Sequence, residues 1–204
     1  MTYLLIENQL FPCIDCFKML VKNPNLILEQ YENYQKMSFR NRYVIFGANG
    51  LIQLSIPIVG GRNQKQLSKD VQIDYTEKWP LKHWRAITSS YNKSPYFEFY
   101  EESLKKVLFS GKKNLSEFNL TVLHWCLNQL KLEVEILFTI EYKKECNNCE
   151  DYRNFFLPKN FQNIESYKYL KYPQVFENRF GFQPNLSVLD LLFAEGLNAK
   201  NLLL

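Results

Sequence analysis

The chain has 204 residues, long enough to bury a core without disulfides or a metal, and it reads as one α/β domain over residues 1–204. Its 25 basic and 21 acidic side chains leave a net charge of +4, too small to argue for a nucleic-acid partner, and no apolar run approaches the roughly 18–20 residues of a membrane span. The chain has five cysteines, an odd number, and its N-terminus, MTYLLIENQLFPCIDCFKML, has no basic leader region and carries Glu7 and Asp15, so a cytoplasmic protein is the expectation.

Taken in chain order, "TYLLIENQ" reads as a first strand, and Ile14, Phe17, Leu20 and Val21 recur at helical spacing over about 14–22. "NPN" at 23–25 stops that helix, and Leu26 to Glu29 reads as a second strand, so the chain opens as a parallel βαβ unit. A β-hairpin comes next, near 42–58, with strands at Tyr43–Phe46 and Leu51–Ile58, and Ala48-Asn49-Gly50 supplying left-handed turn positions. "VQIDY" (71–75) reads as a strand, and residues 82–109 as helix interrupted at Ser94-Pro95. Ser116 is a candidate cap for a helix over 117–130, and "VEILFTIEY" (134–142) is a late strand. Residues 143–165 are polar and turn-rich, a long loop or insertion; the apolar tail, 166–204, packs on the rest, with Asn185 or Ser187 capping a helix that stops near Gly196. The alternation predicts a mixed, mostly parallel sheet flanked by helices.

Four groups could carry chemistry. Lys36, Arg40 and Arg42 form a basic cluster; on a strand Arg40 and Arg42 share a face, with Asn41 opposite, and two adjacent guanidiniums call for a phosphate or carboxylates between them. The carboxylates available nearby are Glu29 and Glu32, which would make the cluster structural. His83 lies between Trp79 and Trp84, with Tyr91 further along the helix: a general base in an aromatic-walled pocket, or a histidine packed at a helix start. "GGRNQK" (60–65) offers glycine amides beside Arg62 and Lys65 for a phosphate, or is a surface loop. Cys13-x-x-Cys16 and Cys146-x-x-Cys149 have the spacing of zinc half-sites, but almost the whole domain separates them, so zinc requires the 143–165 loop to meet the end of the sheet and no metal site is assigned; Cys13, upstream of a helix, is also a conceivable nucleophile.

"LFPCIDCF" (10–17), "LEQYENYQKMSFRNR" (28–42), "GANG" with "LSIPI" (47–58), "GGRNQK" (60–65), "VQIDY" with "HWRAITSSYNKSPYFEFY" (71–100), "LSEFNL" (115–120) and the closing "QVF", "GF" and "PNLSVLDLLFAEG" (174–196) together resemble the WbqC-like family, particularly its Bacteroidetes branch. The likeness covers nearly the whole chain. It implies work in surface-polysaccharide synthesis, such as O-antigen, on a sugar nucleotide or by acyl or aminoacyl transfer to an amino sugar. It adds weight to Lys36, Arg40, Asn41, Arg42, Trp79, His83, Trp84 and Tyr91, which match the family pattern. Where this chain has Cys13 and Cys16 the family usually has proline or tryptophan and tyrosine, so neither cysteine carries a family function.

The opening also resembles nucleotidylyltransferase-type half-Rossmann domains, which bind nucleotide phosphates where the first strand meets its helix, although the usual histidine pair is absent. The combined expectation is a transferase for a nucleotide-linked or phosphorylated amino sugar. Arg40, Arg42, Lys36 and Lys65 would hold phosphate, His83 would act as base, and Trp79, Trp84 and Tyr91 would wall the pocket. No cofactor beyond a nucleotide-linked donor is implied. The alternative is a non-catalytic protein that recognises a phosphorylated ligand or an acidic partner surface.

Overall fold

The computed structural model describes residues 2–60, 65–146, 148–163 and 169–204. Four strands, β1 (Tyr3–Glu7), β2 (Asn25–Glu29), β5 (Glu135–Phe138) and β6 (Cys149–Asp151), form an all-parallel sheet in the order β5-β2-β1-β6. Helix α1 (Ile14–Lys22) makes the crossover between β1 and β2, as the apolar spacing predicts. A separate antiparallel hairpin joins β3 (Arg42–Gly47) to β4 (Gly50–Ser55). The class is therefore α/β, with a mainly parallel sheet, flanking helices and the expected hairpin.

The register of β1 on β2 decides what each sheet face carries. Leu4 lies beside Leu26, Ile6 beside Leu28, and Glu7 beside Glu29. Because strand side chains alternate, Leu4, Ile6, Leu26 and Leu28 point into the core with Ile14, Phe17 and Leu20 of α1. Leu5 and Ile27 take the other face, and so do Glu7 and Glu29 at its carboxyl edge. Helices α2 (Trp79–Tyr91), α3 (Phe97–Leu108), α4 (Leu115–Leu130) and, after the short α5 (Glu177–Phe180), α6 (Val188–Glu195) supply the rest of the core, with Leu104, Phe118, Leu189 and Phe193 fully enclosed.

Several boundaries differ from the sequence reading, each for a local reason. Only Gly50 of the hairpin turn has positive φ (102°), so the left-handed position falls on the residue that tolerates it best. Strand β4 ends at Ser55, short of Ile58. Residues 71–74 form no strand, because their backbone bonds are split between partners: Ile73 N–H donates to the Lys113 carbonyl and Asp74 N–H to that of Pro57. Asn114, not Ser116, caps α4, its Oδ1 accepting from Glu117 N–H at 3.0 Å. Ser187 caps α6 through Leu189 N–H, and Gly196 (φ 57°) ends it. The region read as a long loop, 143–165, contributes β6 to the sheet edge.

Candidate functional site

In open parallel sheets, ligands collect outside the carboxyl ends of the strands, where chains turn away and leave polar groups facing one another. Glu7 and Glu29 occupy those ends in β1 and β2, and Glu32 comes one turn later; all three are buried. Each carboxylate is held by several donors, the condition for burying a charge. Glu7 accepts from Gln9 Nε2 (2.8 Å) and from Asn154 N–H (2.7 Å). Glu29 accepts from Tyr31 N–H (2.8 Å), Thr139 Oγ1 (2.9 Å) and Arg153 Nη1 (3.0 Å). Glu32 takes Arg40 Nε at 2.7 Å and Nη2 at 2.6 Å, a bidentate pair. Arg40 Nη2 also donates to Asn154 Oδ1 at 2.9 Å.

Burial pushes the Glu32 carboxyl above its ordinary pKa; Arg40 opposes the shift, and Glu7 and Glu29 add to it. With Asp151, which also holds Arg153, four carboxylates face two guanidiniums here, so the site is acidic rather than basic.

Between these groups and the start of α4 runs a narrow crevice of about 10 Å³, lined in part by Asn8, Glu32, Tyr34, Arg40, Ser116 and Asn119. Its amides are oriented by the carbonyls that they meet. Asn8 Nδ2 donates to the Ser116 carbonyl (2.9 Å), and Asn119 Nδ2 donates to the carbonyls of Arg40 (2.7 Å) and Asn8 (3.0 Å). That leaves Asn8 Oδ1, Asn119 Oδ1 and Arg40 Nη1 buried and without a hydrogen-bond partner among the described residues. Each such atom costs about 1–3 kcal/mol unless something meets it. A space of this size takes about one water-sized group, so two acceptors and one donor fixed there suit a single hydroxyl or ammonium group.

The expected basic cluster is divided. Arg40 precedes β3 rather than lying in it and is only 2% exposed, with its fork on Glu32. This is the carboxylate pairing weighed beside the phosphate reading. Arg42 opens β3, half-buried, with Nη1 3.3 Å from Met37 Sδ. Lys36 is exposed in the preceding turn. Asn41 is buried and donates to the Ile56 carbonyl at 2.8 Å. Lys65 is exposed, beside Val59, Gly60 and Gln72 on a surface depression; Gly61 and Arg62 of the same loop lie outside the described residues.

His83 sits elsewhere, 3% exposed beneath the hairpin. Nε2 lies 3.2 Å from the Ser55 carbonyl, which can only accept, so Nε2 carries the proton and Nδ1 accepts from Tyr43 Oη at 3.2 Å. Burial lowers its pKa to about 4, and the ring is neutral at pH 7. Trp79 stacks edge-on against His83 (5.1 Å) and Phe118 (5.4 Å), inside the core. Tyr91 donates to Asp190 Oδ1 at 2.6 Å and accepts from Phe46 N–H at 3.1 Å. Trp84 is half-buried against Phe97 and Lys105. Trp79, His83, Ile87 and Tyr91 recur at helical spacing and form the face by which α2 docks. They do not line the crevice that contains Arg40.

The N-terminus of α1, where a half-Rossmann opening would take phosphate, is filled by the chain itself. Ile14 N–H donates to the Leu186 carbonyl (3.0 Å) and Asp15 N–H to Asn185 Oδ1 (2.9 Å). Burial raises the Cys13 thiol to about 12 and holds the Cys16 thiol well above its ordinary value, so neither is a thiolate at neutral pH. The two Cys-x-x-Cys pairs do not meet: Cys13 and Cys16 are core residues, while Cys146 and Cys149 are bonded to each other. Among the described residues no group of three or more His, Cys, Asp or Glu could hold a metal ion.

Glu7, Glu29, Asn8, Asn119, Arg153 and Asn154 join the site without having been candidates by sequence. A signal existed for the first two, because "LLIE" and "LILE" repeat an apolar strand ending in glutamate. Arg153 and Asn154 had none, since β6 reads as loop.

Fold and crevice together define an α/β protein with a polar site at the carboxyl edge of a parallel sheet. Residues 8–159 match the WbqC-like protein family, and the chain belongs to it. It is also similar to "Uncharacterized protein Rv1507c" of Mycobacterium tuberculosis (strain ATCC 25618 / H37Rv), 23% identical over a 223-residue alignment that covers 98% of this chain and 96% of that protein. No solved structure shows a significant match to the chain.

Proposed function

We propose that the chain is a transferase acting on an amino sugar, presented as its phosphate or nucleotide-linked form, in surface-polysaccharide synthesis. The observation that carries the reading is the set of three buried, oriented and unpartnered atoms at the sheet edge: Asn8 Oδ1, Asn119 Oδ1 and Arg40 Nη1. The amide oxygens suit the amine or a hydroxyl of the sugar, and Arg40, with Arg42 at the start of β3 and Lys36 in the turn before it, suits the phosphate; the crevice has room for about one such group and has to widen for the rest. Glu32, whose carboxyl is raised by burial, is the crevice group suited to accept a proton from the sugar amine. His83 is enclosed beneath the hairpin and does not line the crevice, so no proton transfer is assigned to it. The polysaccharide setting rests on the family likeness.

The test is a thermal-shift titration with glucosamine 1-phosphate and uridine-diphosphate N-acetylglucosamine. At about 100 times Kd a ligand stabilises by about 2.7 kcal/mol, a rise of about 5–10 °C in Tm for a chain of this size. The shift should be lost in Asn8→Ala, with its folded state checked by circular dichroism. An undiminished shift in Asn8→Ala would overturn the site.

A second reading, a non-catalytic binding protein, is favoured by the tie between Arg40 and Glu32 and by the narrowness of the crevice. It is supported instead if neither probe shifts the wild type and a protein partner co-purifies.

A further inference from the structure

Cys146 and Cys149 differ from the other cysteines of the chain. Cys13, Cys16 and Cys126 are free and buried in the core, whereas Cys146 and Cys149 are half-buried at the sheet edge and joined in a disulfide. Cys149 is the first residue of β6, a strand of three residues whose pairing to β1 runs from Tyr3–Cys149 to Leu5–Asp151. So short an edge strand has little hold of its own.

The candidate site begins directly after that strand. Asp151 grips Arg153 through Nε (3.0 Å) and Nη2 (2.6 Å), and Arg153 Nη1 reaches Glu29. The next residue, Asn154, gives its N–H to Glu7 and its Oδ1 to Arg40. Within six residues, 149–154, the chain passes from the disulfide to contacts with Glu7, Glu29 and Arg40.

The other end of the same segment is tied to the same place. Thr139, just after β5, donates to Glu29, and Arg153 Nη2 holds the Lys144 carbonyl at 3.2 Å while its guanidinium lies over Tyr142. Residues of this strap, Ile140 and Cys146 among them, enclose with Leu5, Ile27 and Glu29 a cavity of about 350 Å³ on the outer face of the sheet. The bond closes a loop of sequence separation 3, too short to remove much chain entropy, so its effect is local to the strap.

We propose that Cys146 and Cys149 are a reversible thiol–disulfide pair that controls the order of residues 151–154, and with them the Arg153–Glu29 and Asn154–Arg40 contacts of the site. The reductant is a dithiol. Its thiolate attacks one sulfur, the Cys146–Cys149 bond breaks, and its second thiol closes the reductant's own disulfide. Two electrons and two protons pass to the protein, leaving two cysteine thiols. The effect on ligand binding rests on the proposed function; the effect on the segment does not.

The test is amide hydrogen exchange on the full chain before and after treatment with dithiothreitol, with a parallel titration of free thiols under denaturing conditions. Reduction should release two thiols and speed exchange about tenfold or more at Tyr152 and Asn154, with the core amides of α1 and α4 unchanged. The double variant Cys146→Ser/Cys149→Ser should behave like the reduced protein and ignore the reductant. Two released thiols with unchanged exchange at 152–154, or no gain of thiols at all, would overturn the proposal. The exchange readout needs no ligand and the primary comparison uses wild type, so neither a failed ligand screen nor a poorly folding variant alters its outcome.

Discussion

Arg40 and Glu32 show how one pair can be both a structural necessity and part of a proposed site. The guanidinium is almost fully enclosed, and its fork is closed on a carboxylate that is itself buried. The Coulomb gain of such a pair is largely offset by desolvation, so its net contribution is small, but breaking it leaves a bare buried charge. Arg40→Ala is therefore expected to lower the unfolding free energy by about 3–5 kcal/mol in urea titrations, whereas Arg40→Met/Glu32→Leu should return most of that loss. A double variant as unstable as the single would mean that Asn154, not Glu32, is the partner that matters. At this scale the sequence is half legible. The proximity of Arg40 to Glu32 can be weighed from spacing, but a strand-face argument places Arg40 beside Arg42, and a turn before β3 rotates it away. The asparagines carry no spacing signal, because their role depends on Asn8 and Asn119 meeting across 111 residues.

Helix α2 and the hairpin belong together, and His83 is the joint. It receives a bond from Tyr43 in β3 and donates one to Ser55 at the end of β4, while Trp79 closes over it. Its folded pKa of about 4 lies below the ordinary value of 6.5, so between these two pH values the unfolded chain binds the proton and the folded chain does not. Stability contributed by the neutral ring is complete above pH 6.5 and is lost as pH falls towards 4, by at most on the order of 3 kcal/mol. His83→Gln keeps a donor for the Ser55 carbonyl and cannot titrate. Urea midpoints at pH 7 and pH 4.5 should therefore differ less in the variant than in wild type, and an equal loss in both would remove His83 as the titrating joint. The elements themselves are largely legible. The periodicity of 14–22, the Ser94-Pro95 break and the glycine at the hairpin turn correspond to observed boundaries. Strand β6 is not, because three polar residues at an edge carry no alternation. Residues 71–75 read as a strand because alternation cannot show that backbone bonds are shared between two partners.

Over the whole molecule, the parallel sheet has one face committed to the core and the other lined by residues 139–146 and 148–154, and the proposed site lies where they meet the strand ends. The class and the family are legible because the apolar pattern and the motif blocks extend along most of the chain. The position of the site is not, because it is assembled from β1, β2, the turn before β3, the start of α4 and the segment after β6. No helix among the described residues is long and apolar enough to cross a membrane. The most direct measurement is a crystal structure with glucosamine 1-phosphate bound. The sugar should lie with its amine or a hydroxyl on Asn8 Oδ1 and Asn119 Oδ1 and its phosphate towards Arg40 and Arg42. A ligand seated instead beside Lys65 or in a pocket opened around His83, with the crevice unchanged, would contradict it.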